Sequence, residues 1–221
     1  MAEKGEKTKT LKMPITEPFE QHSTEYENWF EENRFAYQSE LAAIKEFIPN
    51  HKQGIEIGVG SGRFAAPLGI EVGIDPSSKM REIAKNYGLE VYNAVAEALP
   101  FSDGSFDFAL MITTICFLDD VEAALKEAHR IIKPSGSLII GFVDKDSPLG
   151  KLYQQRKKES VFYDMATFYS MNELISQLKK IGFKDFNFVQ TIFHNLTEMN
   201  DVEPAKAGYG EGSFVVIRAT K

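Results

Sequence analysis

The apolar positions of this chain recur with two alternating periods. From Tyr26 to Ile48 they fall at Tyr26, Phe30, Tyr37, Leu41, Ile44 and Ile48, a helical recurrence that stops at Pro49. The period then shortens. The run "GIEIGV" reads as a short strand, and "GIEVGID", Gly69 to Asp75, as a second one. This second strand feeds the helix "SSKMREIAKNYG", which Gly88 ends. "LEVYNA" is a third strand. Ser105 to Thr114 is a fourth, apolar nearly throughout, as a strand buried on both faces should be. Asp120 to Ile132 forms a helix with Val121, Leu125 and Ala128 on one side, and "KPSG" stops it before a fifth strand, Ser137 to Asp144. Ser170-x-x-Glu173 is a capping box opening a helix that ends at Ile181-Gly182. Two strand-like runs, "FKDFNFVQTIF" and "SFVVIRAT", close the sequence across a long loop.

Strands alternating with helices predict an α/β architecture with a mostly parallel, doubly wound sheet covered on both faces. The last two strands have no helix between them, which predicts an antiparallel hairpin at one edge. In open sheets of this kind ligands bind beyond the carboxyl ends of the strands, near the point where strand order reverses. The glycine-rich turn after the first strand therefore marks the expected site.

Composition narrows the partners. The chain has 221 residues, a net charge of −7 and one cysteine, Cys116. Its negative charge disfavours a phosphate backbone as ligand, so no nucleic acid is expected. A lone cysteine allows no internal disulfide and points to a cytoplasmic protein. No apolar run approaches the ~20 residues of a membrane span. The four histidines lack ligand spacing, so no metal is expected. Residues 1–14 are charged and read as a disordered tail. Residues 15–221 read as one domain, with a helical lid (15–50), a ligand-binding core (51–145), a cap insertion (146–170) and a C-terminal helix and hairpin (171–221).

The turn itself is "GIEIGVGSGRF", with Gly58, Gly60 and Gly62 at alternate positions. The dinucleotide fingerprint is spaced G-x-G-x-x-G, so the match to it is imperfect. Asp75 closes the second strand about 20 residues beyond Glu56, where an acid accepts both hydroxyls of a ribose. Glu56, just before the glycines, would repel a pyrophosphate but suits a ligand with an amino group. Ribose, adenine and a cationic amino-acid tail together describe S-adenosylmethionine.

On these residues the chain resembles the class I S-adenosylmethionine-dependent methyltransferases, in the small-molecule branch (methyltransferase type 11) related to the quinone-biosynthesis enzymes. "IEIGVGSGRF" is similar to that family's glycine motif, "GIDPSSKM" to its ribose motif, and "AEALPFSDGSFDFAL" to its adenine segment. The resemblance implies a Rossmann-like fold with a seven-stranded sheet and S-adenosylmethionine as cofactor. It places Asp75 on the ribose, Pro76 and Met80 beside the adenine, Ala96 and Glu97 along the adenine edge, and Thr113 near the cofactor with Glu56 and the three glycines. Val95 stands where many relatives carry an Asp, which leaves adenine recognition to backbone groups.

Sulfonium chemistry asks little of side chains, because the leaving group is already good and alignment does most of the work. No catalytic residue is assigned. The acceptor is expected to be a small molecule with an N, O or C nucleophile, an amine among the candidates. Lid and acceptor residues are sought among aromatics outside the shared core, namely Tyr26, Trp29, Phe30, Phe117, Tyr153 and Tyr163. Dense aromatics suit an apolar lid or a cage for a cationic amine. Two rival functions remain open at this point: a non-catalytic module that binds S-adenosylmethionine or S-adenosylhomocysteine, and a nicotinamide-dependent oxidoreductase.

Overall fold

In the computed structural model, which describes residues 14–221, one eight-stranded sheet runs through the chain. Its strands are β1 (Gly54–Ile57), β2 (Val72–Ile74), β3 (Glu90–Tyr92), β4 (Phe106–Ile112), β5 (Ile132–Val143), β6 (Lys184–Thr191), β7 (Lys206–Ala207) and β8 (Phe214–Thr220). The order is β3-β2-β1-β4-β5-β8-β6-β7. The first five strands pair in parallel, while β8 runs antiparallel to both β5 and β6. The sheet thus has eight strands where seven were expected. The eighth is β7, two residues of the long loop that pair with Val189 and Gln190. The expected C-terminal hairpin is present, but its second strand lies inside the sheet rather than at the edge.

Helices cover both faces. One core layer joins α5 (Val121–Ile131) and α7 (Met171–Ile181) to β4 and β5 through Leu125, Ile131, Leu138, Leu174 and Leu178. The other packs α3 (Arg34–Lys45) and α4 (Ser78–Asn86) through Ala36, Ile44, Ala84 and Phe108. Local chemistry sets the helix ends. Ser77 Oγ accepts from Met80 N at the start of α4, and Asp120 Oδ1 from Ala123 N at the start of α5. Ser170 and Glu173 form the reciprocal capping box of α7, and Gly182, left-handed at φ 115°, ends it.

The single N-terminal helix read from Tyr26 to Ile48 is two, with a further short helix ahead of it. After α1 (Glu17–Gln21) come α2 (Ser23–Glu32) and α3, broken at Asn33. Asn33 leaves helical geometry, and both its backbone N and its Nδ2 donate to Trp29 O. A side chain that competes for a helical carbonyl in this way interrupts the ladder. The stretch between β5 and α7 contains α6 (Pro148–Gln155) and two 3₁₀ turns, Lys157–Glu159 and Tyr163–Met165. The strand ladder of β5 begins at Ile132, and "KPSG" is an irregularity within it rather than a separate turn. No helix among the described residues is long and apolar enough to cross a membrane. The expected tail lies outside the described residues except for Pro14.

Candidate active site

Strand order reverses between β1 and β4, and a cavity of about 580 Å³ opens at their carboxyl ends. That is within the ~300–1,000 Å³ of small-molecule sites. The loop after β1 forms its floor. Gly58 N and Val59 N both donate to Ile74 O at 2.9 Å, which folds the loop back over β2. At Gly58 a side chain would overlap Thr114, whose hydroxyl lies within reach of Ile57 O and Gly58 O. Gly62 does not face the cavity; its missing Cβ makes room for Leu89 and α4. Gly60 does. Its φ is +54°, and a Cβ there would sit 3.0 Å from the Tyr26 hydroxyl, at the cavity surface.

Asp75 joins this loop to β2. Its Oδ2 accepts from Gly60 N at 2.9 Å and its Oδ1 from Ser77 N at 2.8 Å. Burial pushes its carboxyl up to about 6, against the pull of those two amides and of Arg81. Arg81 in turn donates to Asp75 O, Pro76 O and Asn93 Oδ1, fixing the β2–α4 turn. Pro76, Met80, Val95 and Ala96 complete an apolar slot beside Asp75. Glu97 lines the cavity too, but its carboxylate accepts from Asp119 N and Asp120 N, so it holds the loop before α5 in place. Thr113 follows β4 in the left-handed region, φ +50°, a strained conformation for a β-branched residue.

Glu56 is buried in β1. It is 1% exposed and lines neither this cavity nor the smaller one bordering it at Thr113. It accepts a bond from the Ala65 backbone, its Oε2 has no partner, and burial drives its pKa well above the usual carboxylate range.

The cavity's outer wall is aromatic. Phe19 of α1, Tyr26 of α2 and Phe117 line it, with Pro14, Ile15 and Thr16. Phe19 packs edge-on to Tyr26 and Phe117, and Phe162 leans on Phe19 at 5.6 Å. Phe117 stacks on Tyr163, and Tyr163 on Tyr153 at 4.9 Å. Trp29 and Phe30 are outside the lining; Phe30 is buried against Phe64 and Tyr37, and Trp29 packs on Phe30. Helical spacing put Tyr26, Trp29 and Phe30 together, yet only Tyr26 faces the cavity. Tyr153 and Tyr163 line a second, small cavity with Cys116, Phe142, Phe168 and Tyr169, and Thr113 borders both spaces. Burial pushes the Cys116 thiol to about 12, which removes it as a nucleophile.

Phe19, Ser77 and Thr114 line the site without having been singled out from the sequence. Phe19 carried a signal, an aromatic next to Pro18 ahead of the long periodic stretch; the two polar residues carried none. Among the described residues no group of three or more His, Cys, Asp or Glu side chains could hold a metal ion. The groups present fit a ribose-and-purine ligand: one buried carboxylate to accept hydroxyls, free cavity surface over Gly60, and an apolar slot.

Comparison with known proteins agrees in kind. The family profile "Methyltransferase domain" matches residues 55–140. A crystal structure from Thermotoga maritima, described as an S-adenosylmethionine-dependent methyltransferase and possible histamine N-methyltransferase, superposes with a TM-score of 0.92. It is 54% identical and covers 94% of this chain and 100% of its own. An uncharacterized protein of Methanocaldococcus jannaschii is 45% identical over 92% of this chain and 98% of its own length. A ubiquinone/menaquinone biosynthesis C-methyltransferase of Rickettsia felis is 33% identical over 57% of this chain and 54% of its own.

Proposed function

Because this chain belongs to the class I S-adenosylmethionine-dependent methyltransferases, we propose that it methylates a small-molecule acceptor held between the glycine loop and the aromatic wall. S-adenosylmethionine is the cofactor. The observation that carries the reading is the two-sided cavity. One side offers Asp75 and Gly60, the other Phe19, Tyr26 and Phe117.

In this reading Asp75 receives the ribose hydroxyls while keeping its bonds to Gly60 N and Ser77 N. Pro76, Met80 and Ala96 enclose the adenine, and Glu97 acts through the loop it fixes. Gly58, Gly60 and Thr113 border the amino-acid end, beneath the Tyr26 hydroxyl. Glu56, buried and accepting from the Ala65 backbone, supports the loop's far side, and its cofactor role is part of this reading. Bound there, the cofactor supplies an electrophilic methyl group on a sulfonium. The chain's own part is to orient the acceptor and exclude water, which α1 and α2 do as the lid over the cavity. Residues 15–50 are thus the lid, 51–145 the cofactor core, 146–170 the acceptor cap and 171–221 the sheet's C-terminal part. The acceptor nucleophile is nitrogen, oxygen or carbon. Nitrogen is favoured by the aromatic wall and by the name of the Thermotoga relative.

The test is turnover to S-adenosylhomocysteine over a pooled metabolite library, with cofactor affinity measured in parallel. Cofactor binding with no acceptor turned over would refute the enzymatic reading in favour of a binding module.

A further inference from the structure

Arg63 follows the third glycine of the loop after β1, and its side-chain contacts lie with the lid rather than with the cavity. Its Nε and Nη2 both donate to Glu27 Oε2, at 2.9 and 2.8 Å, and its Nη1 donates to Glu31 Oε1 at 3.1 Å. Both acids belong to α2, one turn apart. The guanidinium also lies 5.3 Å from the ring centre of Phe30 on the same helix. The main chain adds a further tie, since the Tyr37 hydroxyl of α3 donates to Arg63 O at 2.5 Å. One loop residue is thus fastened to α2 at Glu27, Phe30 and Glu31, and to α3 at Tyr37.

The two ion pairs differ in kind. The Glu27 pair is sheltered, with side chains 19% and 21% exposed, and Glu27 Oε1 is buried without a partner. Removing the guanidinium would strand that carboxylate, which costs more than a solvated pair contributes. Glu31 is 73% exposed, so its pair is solvated and weak. The chief latch is therefore Arg63 with Glu27. It lies beside the site on both elements. Tyr26 precedes Glu27 on the helix, lines the large cavity and holds its hydroxyl close to Gly60, three residues before Arg63 in the loop.

We infer that Arg63 is a positioning residue that couples the cofactor loop to the lid, holding α2 so that Tyr26 closes over the ligand at Gly60. This rests on the methyltransferase reading, with S-adenosylmethionine or its product in the large cavity. A ligand that orders the loop then also orders α2, and by reciprocity a fixed α2 retains the ligand. Lysine cannot replace Arg63 in full, because a single ammonium lacks the planar fork that reaches both carboxylates.

The experiment uses the full chain with S-adenosylhomocysteine as the probe. Hydrogen exchange of the α2 amides is followed with and without it. Trp29, an α2 residue and the chain's single tryptophan, reports dissociation of the probe in stopped flow. In the wild type the probe should slow α2 exchange about fivefold or more. Arg63→Ala and Glu27→Met should abolish that gain, while the probe still slows exchange at Gly60 and Ser77, whose amides bond Asp75. A role in packing alone would raise α2 exchange equally with and without the probe and leave the gain intact. Dissociation should quicken about five- to tenfold in both variants, with Arg63→Lys in between and Glu31→Met within about twofold of the wild type. Methionine matches glutamate in length and helix preference but accepts no bond, so Glu27→Met decides the matter if Arg63→Ala fails to fold. An α2 gain that survives in Glu27→Met, or a Glu31→Met as damaging as Glu27→Met, would overturn the inference. So would a wild type that binds the probe with no gain in α2. A wild type that binds no S-adenosylhomocysteine would overturn the methyltransferase reading and the inference with it.

Discussion

The floor and the outer wall of the cavity are built from different materials. The floor is backbone: turns after β1 and β2, two amides on Asp75, and a glycine whose missing Cβ keeps the cavity surface open beneath the Tyr26 hydroxyl. The wall is side chains from α1, α2, the 3₁₀ turn at Ile115–Phe117 and the segment after β5, meeting ring on ring. Backbone geometry recognises a constant ligand and tolerates few replacements. A wall of interlocking rings is set by packing and can be re-cut for different acceptors. Changes to the floor should therefore act on cofactor affinity, and changes to the wall mainly on the acceptor.

The most damaging change we expect is Gly60→Val. A β-branched residue at φ +54° is strained, and its Cβ would stand 3.0 Å from the Tyr26 hydroxyl. Cofactor affinity should fall at least ~100-fold, about 2.7 kcal/mol or more, while circular dichroism shows an unchanged fold. Asp75→Asn comes next. Losing charge-assisted bonds costs ~1.5–3 kcal/mol, a drop of roughly 10- to 150-fold by calorimetry. If either variant bound the cofactor normally and lost only acceptor turnover, the division between floor and wall would be wrong.

A third, smaller effect is pH dependence. The Asp75 carboxyl titrates at about 6 in the folded protein and at 3.8 unperturbed. The native state thus holds this proton more tightly than the unfolded chain does. The stability it contributes is complete below the unfolded value and is lost as pH rises through about 6. Cofactor affinity runs in the opposite direction, since the ionised form is the better acceptor of two hydroxyls. Affinity should be level above pH 6 and weaken about tenfold per unit below it. Asp75→Asn should flatten that profile, and a profile that persisted in the variant would assign the titration to another group.

The same contrast explains what the amino-acid order revealed. Gly58, Gly60, Asp75, Pro76, Met80 and Ala96 surround one cavity, and they were legible because backbone turns dictate residue type at fixed spacing. Glu56 was found by spacing, and it is buried in β1 next to the cavity rather than in its lining. In the wall, helical spacing could not tell Tyr26 from Trp29 and Phe30, since which arc of α2 meets the cavity depends on the break at Asn33. The two-residue β7 has no periodicity to read.

The smallest effect tests how the wall is fastened to the floor. Glu20 of α1 reaches the N-terminus of α4, where its carboxylate accepts from Ser78 N at 2.6 Å and from Lys79 N at 3.3 Å. Burial acts to raise its pKa, but the bonds from Ser77, Ser78 and Lys79 outweigh it and hold the value below the usual range. An acid at the positive end of a helix is worth ~0.3–1 kcal/mol when exposed. Glu20→Ala should therefore loosen α1, and with it Phe19, by a twofold to fivefold rise in the acceptor KM, with kcat nearly constant. Glu20→Gln should fall between, since its amide oxygen still accepts but carries no charge. High salt should weaken the wild type in the same direction, because the contact lies near the surface. Should Glu20→Ala instead cost more cofactor affinity than Asp75→Asn, the lid rather than the loop would be the main cofactor clamp, and the comparison would have to be inverted.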